Sequence, residues 1–598
     1  MKGKRIASKS LLILVVAAVF AVVTAGGAIA FAQNGTVQAN GKYLIAMNNI
    51  FSTENEGTGT QEDGCIEATD VLNITQKGED TDSDASLAGS ARVASVESAS
   101  VAAPESLTPE QIRADLATKT DDEGQEEAQD AADAALNAAP EGGYTVGSKK
   151  TYTESYTPEQ TKEFECRYVG EHCTVWRDNT AYDSYVVLPD SLAQKIGENF
   201  DANWDKFVET YGDYTTYEDH TTTTYSGADV DGDGKLAIIC YDIGNDYQSV
   251  VETGAYSQFG GVAGFFLQAD LYNDPEVIEE YGTSCFDCIN IDTYPSMGPG
   301  TEGAFDAIDY NDLFSVLFHE LQHLNEAAYL GVNKELPGYL NEGFSMAAQA
   351  LICGNDCQSL ADYGTIFQSS DVGVPLTYWC VQGAPYEVTK SYANGYVFSQ
   401  YLRIRYAQLN PDAQSDPQPG SSFYLRLLNS YVQDHNLDAQ AALCDLLQAD
   451  SMEELVLDFW EACIRKDAEG IYGFGGEEWA NDMCPVIQSV DGKETVEISG
   501  LYNGGALMFD ITNADWESTN ASNLVYREVD LQDDPDPSPS PTVSPDPDPS
   551  PSAQPSSTSA RTAATGDVAP YILGVLLVAV VVGASGVAVV ALRRNKQR

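Results

Sequence analysis

The sequence predicts an α+β fold, a mixed-sheet subdomain followed by a helical one, with the functional site between them. Three observations predict it. Strand-like segments at 182–188 and 235–240 come early in the aromatic-rich region, and helical periodicity dominates from residue 312 onward. A second strand-like stretch then follows, with alternation at 495–499 and 506–510. Strands and helices that segregate along a chain give α+β packing, whereas strict alternation gives a parallel α/β sheet.

Taken in order, residues 1–32 read as a signal peptide. Lys2, Lys4, Arg5 and Lys9 precede an apolar run over 11–30, and Ala30-Phe31-Ala32 supplies a small-x-small cleavage site. The run is long enough that an uncleaved signal anchor stays open as the rival. Residues 33–143 are rich in Ala, Ser, Asp, Glu and Gly, and 78–139 carries dense negative charge with few aromatics. Such a stretch cannot bury enough apolar surface to offset ordering entropy, so a disordered acidic spacer or pro-segment is expected, with a short helix near 109–117.

Composition changes near Tyr144, and residues 144–485 are expected to hold the main domain. A helix is expected over 191–211. The central helix runs 312–330, with Asp312 as N-cap and Gly331 ending it. Asn341 is expected to cap the next helix, which runs to Ile352 and is closed by Gly354. Further helices are expected at 396–406, 422–433, 439–447 and 452–465. Residues 486–529 form a small β segment. Over 530–560 Pro alternates with Asp and Ser, which favours an extended, semi-rigid stalk.

Residues 568–592 form an apolar stretch long enough to span a bilayer, and Arg593, Arg594, Lys596 and Arg598 follow it. Positive-inside logic puts this tail in the cytoplasm and the folded region outside. Just before it, Thr562-Ala563-Ala564-Thr565-Gly566-Asp567 resembles the wall-sorting signals of Gram-positive bacteria, which the transpeptidase sortase cuts between Thr and Gly. The usual Leu-Pro opening is missing. Covalent attachment to the cell wall and anchoring by a single transmembrane helix both follow from 562–598, and both put the protein at the surface of an exporting Gram-positive cell.

The 598 residues carry 91 acidic and 31 basic side chains, a net charge of −60. That surface repels phosphate backbones and excludes nucleic acid as a partner. Twelve cysteines in an exported chain suggest disulfides, with Cys166–Cys173 and Cys353–Cys357 as local pairs. Cys285-Phe286-Asp287-Cys288 has no second CxxC to complete a zinc ribbon, so a disulfide or two separate bridges is the simpler reading.

The chemistry concentrates in Phe318-His319-Glu320-Leu321-Gln322-His323. Only five histidines occur in the chain, and two fall here. Four residues apart on a helix, His319 and His323 share a face and can share one metal ion. Glu320 lies roughly 100° further around, placed to reach an attacking water rather than the metal. With eighteen residues between it and His323, Glu342 can supply a third ligand from a second helix. Zn²⁺ held by His319, His323 and Glu342, with Glu320 as general base, makes a hydrolytic site. Glu326 shares the histidine face, but one straight helix rarely converges three ligands on a tetrahedral ion; it reads as support for the site or a solvated charge.

These residues, with Leu340-Asn341-Glu342-Gly343, resemble the gluzincin clan, in which the third ligand is a Glu on the next helix. Within it, the chain resembles the hyicolysin-like bacterial neutral metallopeptidases. That likeness runs from about Tyr144 to Gly475, through the segments at 169–176, 229–235, 241–242, 260–264 and 392–396. The metzincin pattern would need Gly at position 326 and His at 329, where Glu326 and Tyr329 stand. The spacing and the Leu-Asn-Glu-Gly string also resemble aminopeptidase N, but that family's amine-capturing Gly-x-Met-Glu-Asn segment is absent. The resemblance therefore implies a zinc endopeptidase acting on extracellular proteins or peptides. It also implies a transition-state donor: in aminopeptidase N-like enzymes a Tyr three residues before a Gly lies near the oxyanion, and Tyr392 precedes Gly395 by three. Tyr396 is the runner-up, and a core tyrosine is the plain alternative.

Three further features remain. Asp229, Asp231, Asp233 and Gly234 match the start of an EF-hand loop, yet position twelve is Cys240 instead of a bidentate Glu. A Ca²⁺ site and a tight acidic turn are both open. His172 reads as structural, and His220 and His435 lack ligand-spaced partners. Residues 260–266 are expected to edge the cleft as a strand to which an extended peptide adds. Two other functions stay open, an aminopeptidase or other zinc hydrolase and a non-catalytic surface adhesin, although a purely structural zinc has no need of Glu320. Oligomeric state is not legible.

Overall fold

The computed structural model describes the strand Val16–Val19 and most of 37–52, 65–77, 139–153, 161–180, 187–216, 229–253, 262–271, 286–297, 310–330, 336–379 and 385–531. The strands are β1 Val16–Val19, β2 Lys42–Asn48, β3 Ala68–Gln76, β4 Lys149–Thr153, β5 Thr161–Val169, β6 Cys173–Asp178, β7 Leu236–Tyr241, β8 Val262–Phe266, β9 Cys288–Asp292, β10 Ile487–Ser489, β11 Thr495–Leu501, β12 Ala506–Asp510, β13 Ala514–Ser518 and β14 Leu524–Asp530. The helices are α1 Asp190–Tyr211, α2 Asp246–Thr253, α3 Tyr310–Leu330, α4 Gly338–Cys353, α5 Gln358–Gln368, α6 Pro385–Leu409, α7 Phe423–Gln433, α8 Ala439–Leu446 and α9 Met452–Arg465. Apart from α1 and α2, which interrupt the first sheet, the helices follow one another from α3 to α9, in keeping with an α+β fold.

A seven-stranded mixed sheet runs in the order β1-β8-β9-β7-β6-β5-β4. Its centre, β6-β7-β9, is parallel, and β7 and β9 are buried at every position; β7 is an unbroken apolar run, as a strand covered on both faces requires, while β9 also buries Asn290 and Asp292. One face, through Val175, Ile238, Ile289 and Ile291, packs on α1 and α3; the other, through Trp176, Ile239 and Phe265, makes a second core. β8 is antiparallel to β9 and receives β1 along its other edge. The segment expected to edge the cleft is thus a strand that accepts a further extended chain.

The acidic region requires a correction. Within the stretch expected to be disordered, β2 and β3 are ordered strands. β2 pairs with β12 on one side and β14 on the other, and β3 pairs with β11 and β13. The result is two small facing sheets, β10-β12-β2-β14 and β11-β3-β13, around Leu44, Leu72, Ile74, Ile498, Leu507 and Phe509. The small β segment is therefore half of a sandwich that the N-terminal region completes. Averaged acidity hid the run Tyr43-Leu44-Ile45-Ala46-Met47, whose side chains are all buried. Alternate residues of β2 serve two cores: Leu44 and Ala46 face the sandwich, while Tyr43, Ile45 and Met47 join the main one. Arg527 of β14 reaches Asp458 at 2.7 Å and Glu461 at 3.1 Å on α9, and Trp460 Nε1 donates to Gly504 O at 2.9 Å.

Other details differ locally. α3 begins at Tyr310, so Asp312 lies in its first turn and accepts the Ser359 amide and hydroxyl at 3.2 and 3.0 Å. α4 begins after Pro337, and Gly354 closes it at φ +84°. Cys353 and Cys357 are bonded, but Cys166 and Cys173 are separate thiols. The reason is geometric: they point to opposite faces of the sheet, Cys173 into the helix-side core and Cys166 into the other. Cys288 is a buried thiol whose Sγ lies 3.6 Å from Asp270 Oδ2; Cys285 lies outside the described residues. So do the 109–117 helix, most of the 182–188 strand, the stalk, the sorting signal and apolar C-terminal run, and the signal segment apart from β1. Among the described residues no helix is long and apolar enough to cross a membrane.

Candidate active site

α3 carries His319, Glu320 and His323 on a helix so buried that fifteen of its side chains are shielded from solvent, Leu313, Leu317, Leu321 and Leu324 among them. That packing fixes the helix against β8 and β9 and orients its polar groups by periodicity alone. α4 packs against α3 and against α6. Gly343 and Gly395 face each other where α4 meets α6; a Cβ on Gly343 would come to 3.2 Å from Gly395 O. These two glycines let the helices approach closely, which brings Glu342 and Tyr392 into the same space.

The ligand atoms converge. His319 Nε2 lies 3.5 Å from Glu342 Oε2, and His323 Nε2 lies 3.7 Å from the same oxygen. Two ligands of a shared tetrahedral zinc stand roughly 3.4 Å apart, given bonds of about 2.1 Å. All three atoms are buried without a hydrogen-bond partner, as are both carboxylate oxygens of Glu320. Buried polar atoms left so are costly, and a cation between them resolves the cost for the three ligand atoms at once. The donor set, two imidazoles and a carboxylate, suits zinc.

The outer nitrogens are held in the matching tautomer. His319 Nδ1 donates to Gln349 Oε1 at 3.3 Å, and Gln349 Nε2 in turn donates to Ser315 Oγ at 3.2 Å, which orients the amide. Ser345 donates to Gln322 Oε1, so its oxygen is left to accept from His323 Nδ1 at 3.2 Å. Both Nε2 lone pairs therefore face the ligand point. Burial, then the neighbouring His319, pushes the His323 pKa well below its ordinary value, which keeps the ring neutral and able to ligate. Burial, then Glu342, pushes Glu320 well above the usual carboxylate range.

Glu326 is not a fourth ligand. Its Oε1 accepts from Asn341 Nδ2 at 2.8 Å and the Leu336 amide at 3.3 Å, and its Oε2 from Gln322 Nε2 at 3.3 Å. It ties the α3–α4 connection to the helix beneath. Asn341, expected as a helix cap, is spent on this bond instead. Tyr392 is buried on α6, and its hydroxyl hydrogen-bonds Glu342, while its ring meets Trp379 at 4.9 Å and Tyr363 at 5.7 Å. The Tyr396 hydroxyl donates to Asn355 Oδ1 at 2.9 Å. Gly264 of β8 sits against Glu320: a Cβ there would meet Glu320 Cγ at 3.1 Å and Asn290 O at 3.0 Å. β8 thus runs directly beside the general-base candidate.

Gln322, Ser345 and Gln349 were not singled out from the sequence. A signal existed: Glu342, Ser345 and Gln349 lie three and seven residues apart, a polar stripe on one face of an otherwise apolar helix.

Comparison with known proteins gives one informative likeness. No family model matches the chain. Over 353 residues it is 28% identical to the neutral metalloprotease ShpI of Staphylococcus hyicus, covering 58% of this chain and 67% of that one. The likeness supports a metallopeptidase, and the convergent ligand atoms agree with it.

Proposed function

We propose that this chain is a zinc-dependent endopeptidase of the gluzincin type, exported and held at the surface of a Gram-positive cell, where it hydrolyses extracellular proteins. One observation carries the reading: three buried, unpartnered ligand atoms from His319, His323 and Glu342 meet beside an unpartnered, buried Glu320. Bound zinc would act as a Lewis acid toward the scissile carbonyl and lower the pKa of water at the site.

The chain's own groups do the rest. Glu320 takes the proton of the attacking water and passes it to the leaving amine, a role that its place beside the three ligand atoms suits. Gln349 and Ser345 keep the imidazoles facing inward. The Tyr392 hydroxyl, which hydrogen-bonds Glu342 at the ligand point, would serve as the hydrogen-bond donor to the oxygen on which charge develops. β8 aligns an extended substrate by backbone pairing, as it pairs with β1. Removal of residues 1–32 as a signal peptide would vacate the edge of β8 that β1 occupies, and a free strand edge takes the interior of a long peptide as readily as its end, which favours an endopeptidase over an aminopeptidase. The surface location is supported by the apolar 568–592 run, its basic tail and the Thr565-Gly566 junction.

The test is Glu320→Gln in the full chain. Casein cleavage should fall to background while zinc content by metal analysis stays at one per chain. Persistent proteolysis in this variant would show that the base is another group.

A further inference from the structure

A second set of ligands stands away from α3 and α4. The loop 229–234 enters β7 with Gly232 and Gly234 at φ +77° and +70°, a curl open to residues without a Cβ. It turns three carboxylates toward one point: ligand oxygens of Asp229, Asp231 and Asp233 all lie within 4.8 Å of one another. Backbone amides take part of their capacity. Asp229 Oδ1 accepts from Gly232 and Gly234 at 3.1 Å, Asp231 Oδ1 from Asp233 at 3.4 Å, and Asp233 Oδ1 from Lys235 at 2.8 Å. Asp231 is 4% exposed; the Tyr144 hydroxyl hydrogen-bonds its carboxylate and Lys150 Nζ stands off at 4.0 Å, which leaves Oδ2 buried with capacity to spare.

An independent observation comes from the neighbouring strand. Asp287, immediately before β9, is 0% exposed. Its Oδ2 accepts the Tyr214 hydroxyl at 2.9 Å, while its Oδ1 has no partner among the described residues. Its backbone carbonyl accepts the Ala237 amide at 3.0 Å, which fixes it beside the exit of the loop, and the charges of Asp231, Asp229 and Asp233 all act on it. Asp287 therefore adds a fully buried carboxylate beside the three that converge in the loop, and the Lys150 and Lys235 ammonium groups offset only part of that charge. Uncompensated buried carboxylates are expensive, and an all-oxygen donor set with no nitrogen or sulfur selects a hard divalent cation.

We propose that Asp229, Asp231 and Asp233 bind a calcium ion, and that Asp287 supplies from β9 the carboxylate that the loop's twelfth position, Cys240, does not. Cys240 is 1% exposed and packs in the core, so it is no ligand for calcium. The ion would pin the entrance of β7 to the entrance of β9. β9 is the neighbour of β8, so calcium would stiffen the floor of the cleft without entering the reaction.

The experiment uses the full chain in zinc-loaded form, with calcium removed by EGTA and zinc content checked afterwards. Isothermal titration with CaCl₂ should give a saturable site, and the melting temperature should rise by several degrees as it fills. Asp231→Asn should lose the site, and Asp287→Asn should weaken it at least tenfold. Terbium luminescence sensitised through Tyr144, quenched by added calcium, reads the same site on the unmodified chain. Absence of a calcium-dependent melting shift and of terbium binding overturns the proposal. So does binding that survives Asp231→Asn unchanged, or a site that prefers magnesium. Unchanged affinity in a folded Asp287→Asn overturns the role of β9.

Discussion

The active-site helices and the β sandwich are built in opposite ways. All three zinc-ligand candidates and Glu320 lie between positions 319 and 342, on two helices joined by a short connection. The sandwich joins β2 and β3, from 42–76, to strands from 487–530. In the first region helix periodicity sets the geometry, so chemistry is concentrated in sequence. In the second, no segment holds a core alone, and the hydrophobic interior exists only when the two ends of the chain meet. Activity should therefore be lost by single polar changes in one region, and stability by single apolar changes in the other.

The largest effect is the loss expected from Glu320→Gln. Removing a general base costs roughly 10²- to 10⁴-fold in rate, with the urea midpoint nearly unchanged, because Gln keeps the shape of the side chain and an oxygen that can accept from the Phe266 backbone. A large stability loss in this variant would erase the contrast between the two regions.

Leu72→Ala sharpens it from the other side. Leu72 is 0% exposed in the centre of β3, opposite Val496 of β11 and Ser518 of β13. Its truncation should cost about 2–5 kcal/mol of sandwich stability, read by urea denaturation. Activity per folded molecule should hold, since β3 packs on β11 and β13 while α3 and α4 pack on each other, on α6 and on the seven-stranded sheet.

The same contrast explains what the sequence revealed. The ligand set was legible because four residues on a helix make one turn, and Glu342 followed at a recognisable distance. α7, α8 and α9 were legible from periodicity, and the structure adds the cap at Ser451, whose side chain accepts from Glu454 N. The pairing of β2 with β14 was not, because nothing local in Tyr43–Met47 specifies a partner at Val525–Val529. Asp287 was equally hidden: its importance comes from a neighbouring strand, not from its spacing. Cys166 and Cys173 misled because short sequence separation says nothing of which sheet face each thiol takes.

Tyr392→Phe tests a smaller effect within the active region. The variant keeps the ring packed against Trp379 and Tyr363 and deletes only the hydroxyl bonded to Glu342. If that hydroxyl stabilises developing charge, kcat should fall roughly 10- to 100-fold with KM little changed. A change in zinc affinity with kcat intact would make Tyr392 a positioning residue for Glu342.

The smallest expected effect is the most discriminating for the sandwich. The chain leaves β3 at Gln76, tied by Lys77 N to Asn513 O at 2.8 Å, and is held again where Ala139 N donates to Asp231 O at 2.8 Å. The acidic stretch between is therefore anchored at both ends, unlike a pro-segment that leaves after one cut. An engineered cleavage site placed within 78–138 should, once cut, leave both fragments together on native gel filtration. β2 alone contributes two ladders of backbone pairing and Leu44, Ile45 and Met47 to two cores, far more than a nick removes. The fragments should separate only in denaturant, with caseinolytic activity unchanged. Release of the N-terminal fragment under native conditions, accompanied by a rise in activity, would instead make β2 and β3 part of an inhibitory segment whose departure opens the enzyme.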